Sequence, residues 1–504
     1  MRKNEVKWGA ILSYILIIAS AAYGLIVTPY MIPVIGDVEY GVYKSITALS
    51  SSLLVLDFGV GSTVMRYVAS YNSENKQEEI NRFLSLAFTE MLMIMLLLAV
   101  VCGGIYFTLP AVYGDGFTTE QLEKAKELFL LMTFSLLLHV VENVISGIIG
   151  GYNKFSISKT IKLMQLVFRG ILIYSLLTAL KDSLILVLID IVLSALTIFI
   201  EWIYVSKKHG VVVSLSISSF HSPVFIESTK YTALIFLTSI AAQINGNLDN
   251  VVVGALVGPE AVAVYSMGLL IFGMFENLST AISGVMLPMV TNILKEPDGI
   301  TRVQGTIVKA GRIQFVLLGA AVVGFLIIGK QFIGLWLGNG YEDVYIISII
   351  LMVPALFELC VNVSLSVLRA KNMLSFRTII LIATTALNAI VTVVGVSKYG
   401  YLAAAIGTAL SFIIGSLIIM NIYYNRKLSF KMLRIYKEIF SGIWICLLVA
   451  GGALFVSSRF LFNEGWGAFA GNVSVFCVVY FVMLTFFGLK DYEKGAALGR
   501  KRIS

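Results

Sequence analysis

The chain has 504 residues, of which 58% are hydrophobic and only 13% charged, and its mean hydropathy is +0.91. No soluble domain of this size has such a composition; it requires a polytopic membrane protein. The formal net charge of +8 would suit a nucleic-acid binder, but the cations sort by side of a membrane and do not gather on one surface.

The sequence predicts an all-α chain of about 14 transmembrane helices, near 9–35, 41–71, 83–108, 127–150, 158–180, 184–206, 231–256, 261–293, 310–335, 344–369, 376–397, 401–424, 439–458 and 467–489. Apolar runs follow the first one throughout, so that run is expected to span and not to be a cleaved signal. With both termini placed in the cytoplasm, the outer side holds only Lys44, Lys124, Lys126, Lys181, Lys330, Lys398 and Arg459. Arg66 and Arg169 lie within spans, and roughly 28 of the 37 Lys and Arg fall on the inner side. This asymmetry fixes the orientation and accounts for the basic charge without nucleic acid. The basic loops are expected to rest against anionic headgroups.

The fifth run, Ser158 to Leu180, has Arg169 at its middle. A helix rising ~1.5 Å per residue through a ~30 Å core puts Arg169 roughly 15 Å deep, beyond the reach of its own side chain. A charge left in lipid at that depth costs at least ~2.5 kcal/mol. The sequence therefore predicts a water-lined cavity around Arg169, suited to an anion; the other reading is a structural salt bridge inside the bundle.

Other spans carry polar groups near mid-depth: Asp57 and Arg66; His139, Glu142 and Asn143; Gln243, Asn245, Asn247, Asp249 and Asn250; Glu276 and Asn277; Glu358 and Asn362; and Asn388. Polar atoms in hydrocarbon need partners, so these helices face inward. Asn245, Asn247 and Asn388 are candidate sugar contacts or helix bridges. Arg66, about six residues from Asn72, either contacts substrate or snorkels to the inner surface. Asp57, Glu142, Asp249, Glu276 and Glu358 are candidate ion- or proton-coupling groups, and Asp57, Glu276 and Glu358 are also candidate counter-ions for Arg169. Glu142 and His139, three apart on one helical face, form either a buried pair or a proton site.

The chain divides into a six-helix lobe at 1–206, a linker at 207–230 and a second six-helix lobe at 231–424. The final part, 425–504, holds an amphipathic segment, two further helices and a basic tail. Val38-Glu39-Tyr40-Gly41-Val42-Tyr43 resembles Pro259-Glu260-Ala261-Val262-Ala263-Val264-Tyr265. Gly150-Gly151-Tyr152-Asn153-Lys154-Phe155-Ser156 resembles Arg369-Ala370-Lys371-Asn372-Met373-Leu374-Ser375, again about 220 residues on. An offset of six spans is a parallel repeat. In the linker, Val211 to Ile217 alternates and reads as a short strand or an interfacial piece. Residues 425–438 read as an amphipathic helix on the inner leaflet.

No catalytic or metal-binding constellation is present in the sequence, and no cofactor is implied. Cys102, Cys360, Cys446 and Cys477 lie inside apolar runs with no pairing or metal spacing. Gly59-Val60-Gly61 and Gly465-Trp466-Gly467 lack the strand–turn–helix setting of a nucleotide loop.

The 6+6+2 arrangement and the stretch Asp57-Phe58-Gly59-Val60-Gly61-Ser62-Thr63-Val64-Met65-Arg66-Tyr67 resemble the polysaccharide transporters. These are Wzx-type flippases of the multidrug/oligosaccharidyl-lipid/polysaccharide exporter superfamily. The stretch Gly151 to Lys159 resembles the same family's loop into span 5. The resemblance implies two lobes that rock around a central cavity in a bacterial inner membrane. It also implies a substrate, an oligosaccharide on undecaprenyl pyrophosphate, moved from the inner to the outer leaflet. Membrane lipids and polysaccharide polymerase machinery are the implied partners. An arginine suits the pyrophosphate and amides suit the sugar. The alternative from the same superfamily is an ion-coupled multidrug exporter. A lipid-linked sugar polymerase ranks last, because its large external catalytic loop has no counterpart here.

Overall fold

The structure is a computed structural model that describes residues 2–211, 246–284, 286–460, 464–490 and 493. Among these, 13 helices are long and apolar enough to cross a membrane. Most of the remaining expected span, 231–256, lies outside the described residues, as does the alternating piece after Val211. The chain forms two compact units: Met1–Ala263 with Val396–Tyr401, and Val264–Gly395 with Leu402–Ser504.

The first unit contains α1 (Arg2–Ile35), α2 (Asp37–Leu53), α3 (Val60–Ser73), α4 (Gln77–Tyr113), α5 (Thr119–Gly151), α6 (Phe155–Leu172), α7 (Thr178–Leu180), α8 (Leu184–His209) and α9 (246–256). Each boundary has a local cause. Gly36, at φ 85°, lets the chain turn between α1 and α2. Thr118 and Gln121 form a reciprocal capping box at the start of α5. Gly210, at φ 59°, ends α8 behind Lys207, Lys208 and His209, cations that suit a helix carboxyl end.

The second predicted span is broken. Leu54–Asp57 is a 3-10 turn, and Phe58 and Gly59 follow in the left-handed region at φ 53° and 70°. The Asp57 carboxylate holds the break by accepting the Gly59 N–H at 2.7 Å. The half-helix α3 then lies unusually close to α5. A Cβ at Gly147 would sit 2.4 Å from the Gly61 carbonyl oxygen, and one at Gly61 would sit 2.5 Å from the Asn143 carbonyl oxygen. Small residues at a helix crossing permit that approach, which hydrocarbon alone would not drive. Large apolar side chains such as Ile18, Leu96, Phe107, Phe168 and Phe199 point outward on this unit, as lipid-facing positions require.

The second unit begins within α10 (Pro259–Ser283) and continues through α11 (Leu287–Ile293), α12 (Gly299–Trp336), α13 (Glu342–Cys360), α14 (Val363–Ala370), α15 (Leu374–Tyr399), α16 (Leu402–Ser411), α17 (Met420–Leu428), α18 (Met432–Phe440), α19 (Ile443–Phe460) and α20 (Gly465–Met483). Of the segment 425–438 expected as an amphipathic surface helix, the first residues end α17 and the last lie in α18. Its buried side, Met432, Ile435 and Ile439, is covered by the protein: Phe440 packs on Phe315 of α12 with ring centroids 4.5 Å apart. Leu433 and Arg434 remain exposed. Its amphipathic pattern therefore reflects packing on α12.

Arg312 of α12 fastens this region and is fully buried. It donates to the Glu493 carboxylate at 2.6 and 3.0 Å. It also donates to the carbonyl oxygens of Glu438, Ser441 and Gly488 at 3.0, 2.9 and 2.7 Å. One guanidinium thus ties α18, the start of α19 and the end of the last helix to α12.

Candidate functional site

Where α3 begins, the first unit opens a cleft of about 380 Å³ between α3, α5 and α6. Its polar lining consists of Asp57, Ser62, Asn143, Ser146, Ser158, Lys159 and Lys162. The helix break supplies this polarity: the amino terminus of α3, the positive end of its dipole, borders the cleft through Gly59, Gly61 and Ser62. Asn143 Nδ2 donates to Asp57 Oδ2 at 2.9 Å and lies 3.1 Å from His139 Nε2. The orientation of that amide is settled by Asp57, since its oxygen would repel the carboxylate. With that orientation, His139 Nε2 is the acceptor in its contact with Asn143.

The two lysines face the cleft with little compensation. Lys162 is 3.8 Å from Glu142, at the edge of ion-pair range. Lys159, next to it, has no carboxylate within 4 Å among the described residues. Ser146 and Ser158, 3.4 Å apart, continue the polar wall to Glu201 of α8, whose two oxygens lie 3.2 and 3.1 Å from Ser146 Oγ. The surface thus combines two adjacent cations, hydroxyls, an amide and the Asp57 carboxylate, a donor set that can bind an oxyanion among polar neighbours.

A second polar cluster in the same unit centres on Arg169. Its Nε and Nη2 donate to both oxygens of Asp190 in α8 at 2.5 and 2.9 Å, and Nη1 donates to the Tyr23 hydroxyl at 2.7 Å. About a quarter of the side chain, 26%, remains exposed. Tyr43 adjoins the guanidinium. Lys44, also nearby, lies over the Tyr40 ring at 5.5 Å. Asp190 therefore takes the counter-ion place expected for Asp57, Glu276 or Glu358. Asp57 is committed to the helix break, and Glu358 lies 3.9 Å from Arg377.

A sequence profile described as "Polysaccharide biosynthesis protein" matches residues 6–294, more than half of the chain. The chain belongs to this polysaccharide biosynthesis protein family. It is 27% identical over 176 residues to the probable flippase AglR of Haloferax volcanii, a match spanning 34% of this chain and 36% of that relative. Among solved structures, the lipid II flippase MurJ in an inward closed conformation superposes with a TM-score of 0.73 at 17% identity, covering 98% of this chain and 99% of that one. An inward-facing multidrug resistance MATE family transporter of the MOP superfamily gives 0.62 at 16% identity, covering 85% and 99%. At these identities the two superpositions establish the fold alone.

Within the family fold, the remaining sequence candidates fall in several places. Arg66 is exposed on α3, beside the Tyr67 ring. Glu142 and Asp57 belong to the cleft network. Asn247 and Asp249 lie on α9, with Asp249 only 4% exposed; Asn245 lies outside the described residues. In the second unit Glu276 and Glu358 are neighbours. Asn388 is fully buried, with Nδ2 donating to Thr408 at 3.1 Å and Oδ1 accepting from Thr392 at 3.2 Å. Asp190, Glu201 and Lys44 were absent from the sequence-derived candidates. The signal for the first two was a carboxylate within the apolar run 184–206.

Proposed function

We propose that this protein is a flippase that moves an undecaprenyl-pyrophosphate-linked oligosaccharide from the cytoplasmic to the outer leaflet of a bacterial inner membrane, by rocking-type alternating access. Both termini are cytoplasmic in this reading, and the flipped product passes to polysaccharide polymerase machinery. The observation that carries the reading is the first-unit cleft, where Lys159 and Lys162 stand together over Ser62, Asn143, Ser146 and Ser158. A pyrophosphate matches two adjacent cations, and sugar hydroxyls match the amide and serines. Arg169 is a second phosphate contact, available when the headgroup displaces Asp190. Arg66, Asn245, the α9 amide Asn247, and Asn388 serve the headgroup elsewhere on its path. Family membership and the named activities of AglR and MurJ support the same class.

The test is genetic. Replacing both cleft lysines by Met, or Arg169 by Ala, should abolish surface polysaccharide while the protein remains in the membrane. Normal polysaccharide in either variant would contradict the assignment.

The second reading, an ion-coupled multidrug exporter, is favoured by the MATE superposition and by the adjacent carboxylates Glu276 and Glu358. Asp57, Glu142 and Asp249 are its further coupling candidates. Under this reading, expression should raise efflux of cationic dyes, and Glu358→Gln should remove that gain. The paired cations of the cleft oppose a cationic cargo.

A further inference from the structure

Five cations stand close together at the junction of α17 and α18: Arg426, Lys427, Lys431, Arg434 and Lys437, all exposed. Glu438 is the one acidic residue between Asn425 and Phe440, and its salt bridge is with Arg434, at 2.7 Å on the surface. Among the described residues the other four cations have no carboxylate within 4 Å. Basic residues elsewhere on the same side do have carboxylate neighbours: Glu74 for Lys76, Glu142 for Lys162, Glu296 for Arg302 and Glu358 for Arg377.

The fold fixes where this patch sits. α17 ends at Leu428 and α19 begins at Ile443, and left-handed turns at Ser429 (φ 55°) and Gly442 (φ 81°) set α18 between these two spanning helices. The amino end of α18 is tied to α12 by the Lys431 N–H, which donates to Gln304 Oε1 at 3.1 Å, and its carboxyl end by Arg312. It therefore lies beside residues 304–312 of α12, whose apolar run opens at Ile313, and this puts it at headgroup depth. The buried side of α18 faces the protein. The side left outward holds Lys431, Arg434 and Lys437, with Leu433, 87% exposed, among them. Spacings of three and four residues gather these on one helix face. Cations interrupted by an exposed leucine are the makeup of a lipid-surface contact.

We propose that this face of α18, with Arg426 and Lys427 at the end of α17, is a binding site for anionic phospholipid headgroups, and that the bound lipid holds α18 in its seat on α12. Lipid phosphates lie against the lysines and against Arg434, whose exposed pair with Glu438 is weak enough to yield. Arg312 joins the carbonyl oxygens of Glu438, Ser441 and Gly488 to α12. Headgroups that hold α18 therefore also steady the start of α19 and the end of the last helix. Any basic loop attracts anionic lipid through its charge; this site depends in addition on one helix face. It needs no part of the flippase reading.

The experiment is native mass spectrometry of the full chain in detergent, titrated with phosphatidylglycerol or with phosphatidylcholine. Each basic residue beside an anionic surface changes affinity about fivefold. A chain carrying Lys431→Gln, Arg434→Gln and Lys437→Gln should therefore lose its tightest phosphatidylglycerol step by about a hundredfold, with phosphatidylcholine binding unchanged. A control with Lys76→Gln, Lys207→Gln and Lys208→Gln removes the same charge from the first unit and should keep that step. All six side chains are exposed, so both variants leave the core intact. Equal weakening in the control would reduce the effect to net charge and overturn the site. Wild-type affinity in the α18 variant would also overturn it, and would leave the face to an acidic protein partner. The seating is read by limited proteolysis: phosphatidylglycerol should slow cleavage around α18 in the wild type and not in the α18 variant. Equal protection of the two would overturn the link between lipid and seat.

Discussion

Arg169 donates three hydrogen bonds within its lobe, two of them to Asp190. A charge at that depth is tolerable because it is paired, and pairing makes each partner depend on the other. Removing one partner of a fully buried pair typically costs about 3–5 kcal/mol, whereas replacing both by apolar groups is often near neutral; this pair is 26% and 31% exposed, so a smaller loss is expected. Asp190→Leu should therefore lower the thermal unfolding temperature of the purified protein, and Arg169→Met with Asp190→Leu should recover most of the loss. Equal melting of the single and double variants would show that the pair is not coupled. The arginine was legible in the sequence because its depth is a matter of counting residues. Its partner was harder to read: Asp190 is 21 residues away, and which face of α8 meets α6 is set by packing. The same holds for Glu201, whose partner Ser146 is 55 positions distant.

At the scale of elements, the break at 54–59 and the glycine-lined crossing of α3 on α5 create the cleft. The sequence marked Asp57 and Gly59-Val60-Gly61 without explaining them. Gly59 supplies a left-handed turn, Gly61 a close approach, and Asp57 the side-chain acceptor that closes the turn. A side chain at Gly147 would push on the Gly61 carbonyl, a backbone atom that cannot rotate away. Gly147→Ala should cost about 1–3 kcal/mol, read as a lower melting temperature, and should narrow the cleft. An unaltered melt would mean the helices separate freely there. In the second unit, Arg312→Met would remove one donor from Glu493 and from the carbonyl oxygens of Glu438, Ile439, Ser441 and Gly488. A loss of about 3–5 kcal/mol is expected, with faster proteolysis around α18 and the carboxyl end. Proteolysis at the wild-type rate would contradict the fastening role. The sequence placed Arg312 among inner-side loop cations, because its burial depends on the last helices folding back over α12.

At the scale of the whole molecule, composition was enough for the class, and 13 of the about 14 spans read from the apolar runs stand among the described residues. The weak repeat and the Asp57–Tyr67 stretch pointed to the family that the profile over residues 6–294 establishes. What the sequence left open was where the polar groups converge. Arg169 drew attention as the isolated charge, yet it is paired with Asp190, while Lys159 and Lys162, at the start of the same run, line the cleft.

That reassignment gives the most direct test. The purified chain is placed in liposomes with a fluorescent undecaprenyl-pyrophosphate oligosaccharide, and the label exposed in each leaflet is followed with an impermeant quencher. Wild-type protein should equilibrate the label between leaflets, and the Lys159→Met, Lys162→Met double variant should hold it at the protein-free rate. Label that stays in its original leaflet with wild-type protein, or crosses equally fast with the double variant, would contradict the account.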